Sequence, residues 1–376
     1  LNEPRAAYVH VPFCAHKCGY CDFASVEGQD GLASRYLDAL ERELALRLGA
    51  PRRVATLFVG GGTPTRLDHA ALARLGEMLA RWLPLEPGGE WTVEANPGTL
   101  DDAKVSLLAD AGVNRISLGA QSFDRGVLTV LERRHDPEEV PRAVEMVARR
   151  LDRWSLDLIF GVPGSTLESW HRDLDATLAL GPSHLSCYGL VYEKGTPLWK
   201  RWDRGEVRAL DEDLERAMYE ATMDRLEAAG LEMYEISNFA RPGEECRHNL
   251  IYWANESYFG VGLGAARYVD GLRATNTREL GAYLRRLEAG GDPTGASERL
   301  DPEPRARETA VLNLRRTRIG IDRGEFAART GYDLDALCGA ALARHRGAGR
   351  LDDDGRRVRL TRAGRFVADS VMCDLL

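Results

Sequence analysis

Short apolar runs alternate with longer amphipathic stretches from the start of the chain to about residue 190. The runs Tyr8–Phe13, Val54–Gly60, Glu90–Glu94, Arg115–Leu118, Leu156–Phe160 and His184–Tyr188 are predicted strands, since each is β-rich and ends at turn-forming or charged residues. Helices are predicted between them. In Leu32–Leu48 the residues Leu37, Leu40, Leu44 and Leu48 recur at helical spacing, and Gly49 follows as a stop. Thr99-Leu100-Asp101-Asp102 reads as a capping box for the helix that ends before Gly112. Repeated strand–helix units imply a parallel sheet covered by helices. Six of them predict an α/β fold, a partial (β/α)6 barrel, with working groups on loops at the carboxyl ends of its strands.

The pattern changes further along. Asp211–Ala229 is amphipathic and stops at Gly230, while the stretch from about 195 to 300 offers little else with a clear period and is expected to extend or cap the barrel. Helical segments Arg305–Arg316, Glu325–Thr330 and Leu334–His345 precede a hairpin-like Gly349–Thr361, the order of a small winged-helix-like α+β domain. The expected division is therefore 1–230 for the barrel, 231–300 for its extension and 301–376 for the C-terminal domain.

Composition adds limits. With 376 residues, 44% of them hydrophobic and 29% charged, the chain suits one large domain plus a smaller one. It has neither an apolar run of membrane-spanning length nor a basic segment leading into an apolar one, so a cytoplasmic protein without a span or secretory signal is expected. A net charge of -8 argues against a surface built for nucleic acid. The C-terminal domain is locally basic, with Arg344, Arg346, Arg350, Arg356, Arg357, Arg359, Arg362 and Arg365, yet Asp352-Asp353-Asp354 stands at its hairpin tip. A domain that covers the barrel or docks a partner is expected there, not a nucleic-acid reader. Seven cysteines form an odd set, and Cys187, Cys246, Cys338 and Cys373 are widely spaced, as reduced thiols would be.

The chemistry concentrates at predicted strand ends. Cys14, Cys18 and Cys21 form C-x3-C-x2-C after the first strand. Thiolates suit iron–sulfur or zinc centres. Zinc needs a fourth ligand, which only His10 or His16 could supply locally, whereas a [4Fe-4S] cluster on three cysteines keeps one iron open. After the second strand, Gly60-Gly61-Gly62-Thr63-Pro64-Thr65 is expected to let backbone approach a ligand and to expose N–H groups. Glu94 ends the third strand, Gln121 the fourth, and Asp157 stands in the fifth. One such polar residue is ordinary structure; recurrence at successive strand ends marks a site.

Together with Asn114-Arg115-Ile116-Ser117-Leu118-Gly119, Tyr234-Glu235-Ile236-Ser237-Asn238-Phe239-Ala240 and Arg307-Glu308-Thr309 followed by Leu314-Arg315, these motifs resemble the radical S-adenosylmethionine (SAM) superfamily. The likeness is to its branch holding oxygen-independent coproporphyrinogen III dehydrogenase and the HemW-type haem chaperones, and it covers nearly the whole chain. Zinc explains none of the strand-end motifs. The resemblance implies a [4Fe-4S] cluster on Cys14, Cys18 and Cys21 whose open iron binds SAM. It also implies that Tyr8, Tyr20, Gly61, Gly62, Thr63, Glu94, Gln121, Arg133, Asp157, Gly189 and Ala266 hold SAM. Arg133 would bind its carboxylate. Gly262-Leu263-Gly264-Ala265-Ala266-Arg267 departs from the His-Ser or Ile-Ser ending expected in the family.

Within that branch two features separate enzyme from carrier. The dehydrogenase has a further cysteine one residue beyond the triad, where this chain has Phe23, and an N-terminal arm for which Leu1 stands too close to the first strand. His248-Asn249-Leu250-Ile251-Tyr252-Trp253 fits the H-N-x-x-Y-W signature of the haem chaperones. The expectation is a haem chaperone, with His248 as iron ligand and Tyr252 and Trp253 against the porphyrin. A radical SAM enzyme acting on a tetrapyrrole is the alternative. Expected partners are haem and respiratory haem proteins that accept it, with a transient membrane-associated partner and a homodimer both open.

Overall fold

Six parallel strands lie side by side in chain order at the centre of a nine-stranded sheet. They are β1 (Ala6–Val11), β2 (Val54–Gly61), β3 (Leu85–Ala95), β4 (Arg115–Gln121), β5 (Trp154–Phe160) and β6 (His184–Gly189). These are the six strands the apolar runs predict, with β3 starting five residues early, at Leu85. The computed structural model describes residues 3–376, so Leu1, on which the expectation about an N-terminal arm rests, lies outside the described residues.

Alternation along the strands sorts their side chains. Ala7, Val9 and Val11 of β1 point outward into one apolar core with Leu37, Leu40 and Leu44 of helix α1 (Ala33–Leu48), while Tyr8 and His10 point into the barrel. Helix α1 ends at Gly49, whose φ of 67° only glycine adopts freely. Helix α2 (His69–Trp82) is capped by Asp68, and α3 (Asp102–Ala111) by Asp101, whose side chain accepts from the Lys104 N–H. The cap of α3 is thus two residues later than the Thr99 box predicts, because Thr99 closes a preceding 3-10 turn. Helices α4 (Glu139–Ala148) and α5 (Leu167–Ala179) complete the cover on this side, and α6 (Glu212–Ala228) starts at Asp211 as expected.

The stretch without a clear period closes the sheet at both edges. Strands β7 (Glu232–Glu235) and β8 (Asn238–Ala240) form an antiparallel hairpin against β6, and β9 (Phe259–Val261) lies parallel to β1. Between them α7 (Arg247–Trp253) meets the amino ends of the strands: the Glu90 carboxylate, at the inner start of β3, accepts from the backbone N–H groups of Arg247 and His248. Helix α7 therefore forms the barrel floor.

A second apolar core, including Ala310, Leu314, Phe326, Leu342, Leu360 and Val371, belongs to the C-terminal domain. Helices α8 (Pro302–Leu314), α9 (Arg323–Thr330) and α10 (Leu334–Gly347) lead into a three-stranded sheet that contains the expected hairpin, Leu351–Asp353 with Arg357–Leu360. Six of its arginines, Arg344, Arg346, Arg356, Arg357, Arg359 and Arg362, pair with carboxylates. No helix among the described residues is long and apolar enough to cross a membrane.

Candidate cofactor pocket at the barrel mouth

A cavity of about 510 Å³ opens at the carboxyl ends of the central strands. Cys14, Cys18 and Cys21 line it from the loop after β1, with Tyr20 among them. Gly61, Gly62 and Thr63 line it from the end of β2; Glu94, Gln121, Asp157 and Gly189 contribute from the next four strands, and Arg133 from beyond β4. Of the residues expected at a SAM site, Tyr8 and Ala266 are elsewhere. Tyr8 lies deeper in the barrel, its hydroxyl 3.0 Å from Nδ1 of His10, and Ala266 sits in a small separate sheet.

The three cysteines are free and half-buried. The Cys18 carbonyl accepts from the Cys21 N–H at 3.1 Å, which curls the loop. Thr63 Oγ1 stands 3.9 Å from Cys14 Sγ, and Arg133 donates to Cys18 Sγ at 3.7 Å. Burial pushes the Cys14 thiol up to about 11 and also raises Cys21. Uncharged thiols in such a place become thiolates when a metal centre supplies the compensating charge. A single zinc ion would need a fourth ligand beside the three cysteines. His10, one candidate fourth ligand, has its ring nitrogens 3.0 Å from the Tyr8 hydroxyl and 3.0 Å from the Ala24 carbonyl.

The glycine loop corrects an expectation. Its N–H groups face protein acceptors: Gly61 donates to Glu94 Oε2 at 3.0 Å, Gly62 to the Val11 carbonyl and Thr63 to the Phe13 carbonyl, each at 2.8 Å. The glycines permit close packing instead. Gly61 has φ 107°, and a Cβ there would fall 2.3 Å from the His10 ring.

Beyond that loop the pocket wall is charged. Burial, then the neighbouring Asp157, raises the Glu94 carboxyl to about 7. Asp157 is also raised by burial, and it accepts from Ser117 Oγ at 3.1 Å. Arg133 donates to the Gly119 carbonyl, and its Nε is buried without a protein partner. A guanidinium lining the cavity with one N–H unpaired by protein suits a ligand carboxylate. Gln121 and Glu132, both lining the pocket, have φ of 65° and 56°. Such left-handed backbone in larger residues collects at functional sites.

Sequence reasoning missed Ser117, which lines the pocket and fixes Asp157. Its signal was available: Ser117 lies directly opposite Glu94 in the parallel register, hence on the same inner face.

The expectation that His248 ligates haem is corrected by packing. Its side chain is 0% exposed on the floor helix. Nδ1 lies 2.9 Å from Thr56 Oγ1, Nε2 lies 2.9 Å from the Tyr252 hydroxyl, and the ring stacks on Phe58 at 5.3 Å. Burial lowers its pKa to about 3. The imidazole has no free lone pair and no open face. Tyr252 is committed to His248 and to Tyr258, and Trp253 lies under the Arg315 guanidinium at 4.3 Å.

Comparison with known proteins reaches both parts of the chain. The Radical SAM superfamily pattern matches residues 8–176 and the HemN C-terminal domain pattern residues 300–367. Heme chaperone HemW of Bacillus subtilis (strain 168) is 37% identical over 373 residues, 98% of each chain. Its Escherichia coli (strain K12) counterpart is 36% identical over 347 residues, 89% of this chain and 88% of that one. Among solved structures, coproporphyrinogen III oxidase (HemN) from Escherichia coli, a radical SAM enzyme, superposes with a TM-score of 0.87 at 23% identity over 99% of this chain and 90% of that chain. That likeness is one of fold.

Proposed function

Since the chain belongs to the HemW family of haem chaperones within the radical SAM superfamily, we propose that it carries haem, holds a [4Fe-4S] cluster and SAM in its mouth pocket, and delivers haem to respiratory haem proteins from the cytoplasm. One observation carries the cofactor part: three free cysteines, an arginine and two half-buried carboxylates line one cavity. Cys14, Cys18 and Cys21 would bind three irons. When bound, the cluster supplies one-electron chemistry and an open iron for SAM.

The protein's own groups then have separable tasks. Arg133, fixed by the Gly119 carbonyl, would hold the SAM carboxylate through its guanidinium. Glu94 and Asp157 would accept from the ribose hydroxyls and the amino group, and Ser117 holds Asp157 in place. Tyr20, half-buried beside Arg133 and Cys18, would cover part of the bound cofactors. Gln121, on strained backbone, is held at a fixed angle to the cavity.

Anaerobic reconstitution with iron and sulfide tests this reading. About four irons and four sulfides per chain are expected, with a cluster spectrum that SAM perturbs in the wild type and much less in Arg133→Ala. Absence of a cluster, or retention of one in a Cys14→Ser/Cys18→Ser/Cys21→Ser variant, would overturn it.

A further inference from the structure

Large apolar side chains stand exposed at few places on this protein, and the mouth is the main one. Phe23 is 60% exposed, Val191 61% and Tyr188 42%, and all three line the outer rim of the pocket. Trp202, 41% exposed, packs on Tyr192 beside them. Apolar surface gathered at one rim marks a binding face.

The polar groups of the same rim are selective. The Lys17 ammonium makes a single bond, to the Phe23 carbonyl at 3.4 Å, and has no ion-pair partner among the described residues, while the Lys17 backbone N–H donates to Glu27 at 3.1 Å. Arg134 is largely exposed and reaches Glu27 only at 3.4 Å. The nearby acids are occupied, Asp22 by Arg278 at 3.0 Å and Glu132 by Arg201 at 3.7 Å, which leaves Glu193 as the remaining rim carboxylate. His16 lies in the cysteine loop, between Cys14 and Cys18 in the chain. Its Nδ1 is 3.3 Å from Glu27 Oε1 and 3.2 Å from Arg134, whereas Nε2 has only Glu132, at 3.6 Å.

Resting on the haem-carrier reading above, we propose that this rim is the haem seat. The porphyrin lies against Phe23, Tyr188 and Val191, its propionates pair with Lys17 and Arg134, and His16 Nε2 ligates the iron. The seat requires two side chains to turn: Glu132 leaves His16 Nε2 for Arg201, and Arg134 leaves Nδ1. When Arg134 turns from His16 to a propionate, Nδ1–H donates to Glu27 alone, which fixes the tautomer with its lone pair on Nε2. The seat lies outward of the cysteines, Glu94 and Asp157, so haem closes the pocket without displacing SAM. It also places the cargo at the open end of the barrel, where an acceptor can reach it.

Haemin titration of the full chain, cluster-free and cluster-loaded in parallel, tests the proposal. Phe23→Ser/Val191→Ser is expected to weaken haemin binding tenfold or more, and Lys17→Glu/Arg134→Glu by a similar factor. His16→Ala is expected to shift the Soret band and the ferric EPR signal, most directly in the cluster-free arm, where cluster assembly plays no part. If the wild type binds no haemin, the carrier reading itself fails. If it binds haemin and all the rim variants keep its affinity and spectrum, the seat is overturned while the carrier reading stands. Loss of the haem spectrum in a His248→Gln variant with the wild-type unfolding temperature would likewise move the ligand to the floor.

Discussion

Glu94 couples the pocket to stability through its proton. Its carboxyl titrates at about 7 in the folded chain against 4.5 for an unperturbed glutamate, chiefly because it is buried and secondarily because Asp157 stands near. Between those two values the folded state holds a proton that the unfolded state has released, so stability falls as pH rises and then levels off above about 7. The shift corresponds to roughly 3 kcal/mol. Glu94→Gln keeps an oxygen for the Gly61 N–H and removes the charge. From pH 5 to pH 8, urea unfolding of the cluster-free protein is expected to show a stability change about 2–3 kcal/mol less favourable in the wild type than in the variant, the other titrating groups being common to both; equal changes would refute the assignment. Glu94 is legible in sequence because it ends an apolar run. Its proton affinity is not, since the causes are enclosure by the folded barrel and, second, Asp157 on β5.

At the scale of elements, the strands are legible and the floor is not. A strand declares itself by apolar residues close together in the chain, and an outer helix by its period. Helix α7 is seven residues long and depends on partners far away: Glu90, 158 residues distant, caps it, and Thr56, 192 residues distant, meets His248. Its motif is therefore visible as a string of residue types, while the reason for each residue is set by the barrel interior. The structure assigns His248 to holding strand β2 to the floor through Thr56 and Phe58. His248→Ala removes a buried ring and leaves the Tyr252 hydroxyl without this partner, a loss of about 2–4 kcal/mol. A thermal unfolding midpoint within a degree or two of wild type would contradict that role.

For the whole molecule, the floor is also where the two apolar cores communicate. Arg315, at the end of α8 in the C-terminal domain, reaches Glu235 on β7 at 3.6 Å and covers the Trp253 ring at 4.3 Å. Thr317 donates to the Met233 carbonyl at 2.7 Å, and Asn255, just past α7, donates to Thr309 at 3.0 Å. The motifs around Tyr234–Ala240 and Leu314-Arg315, unexplained by the pocket, thus join the smaller domain to the barrel. Burial raises the Glu235 carboxyl, while Asn238 and then Arg315 act to lower it. Without Arg315 the carboxyl rises further, so the unfolded chain has a larger advantage in releasing the proton as pH increases. Arg315→Ala is therefore expected to cost about 3 kcal/mol at pH 8 and clearly less at pH 5. In Glu235→Gln the same substitution should cost only what the Trp253 contact contributes, about 1–2 kcal/mol. A double-mutant cycle measured by urea unfolding at both pH values separates the terms. A coupling energy near zero at pH 8 would mean that the domains are held by shape and apolar burial alone, with the ion pair incidental to their union.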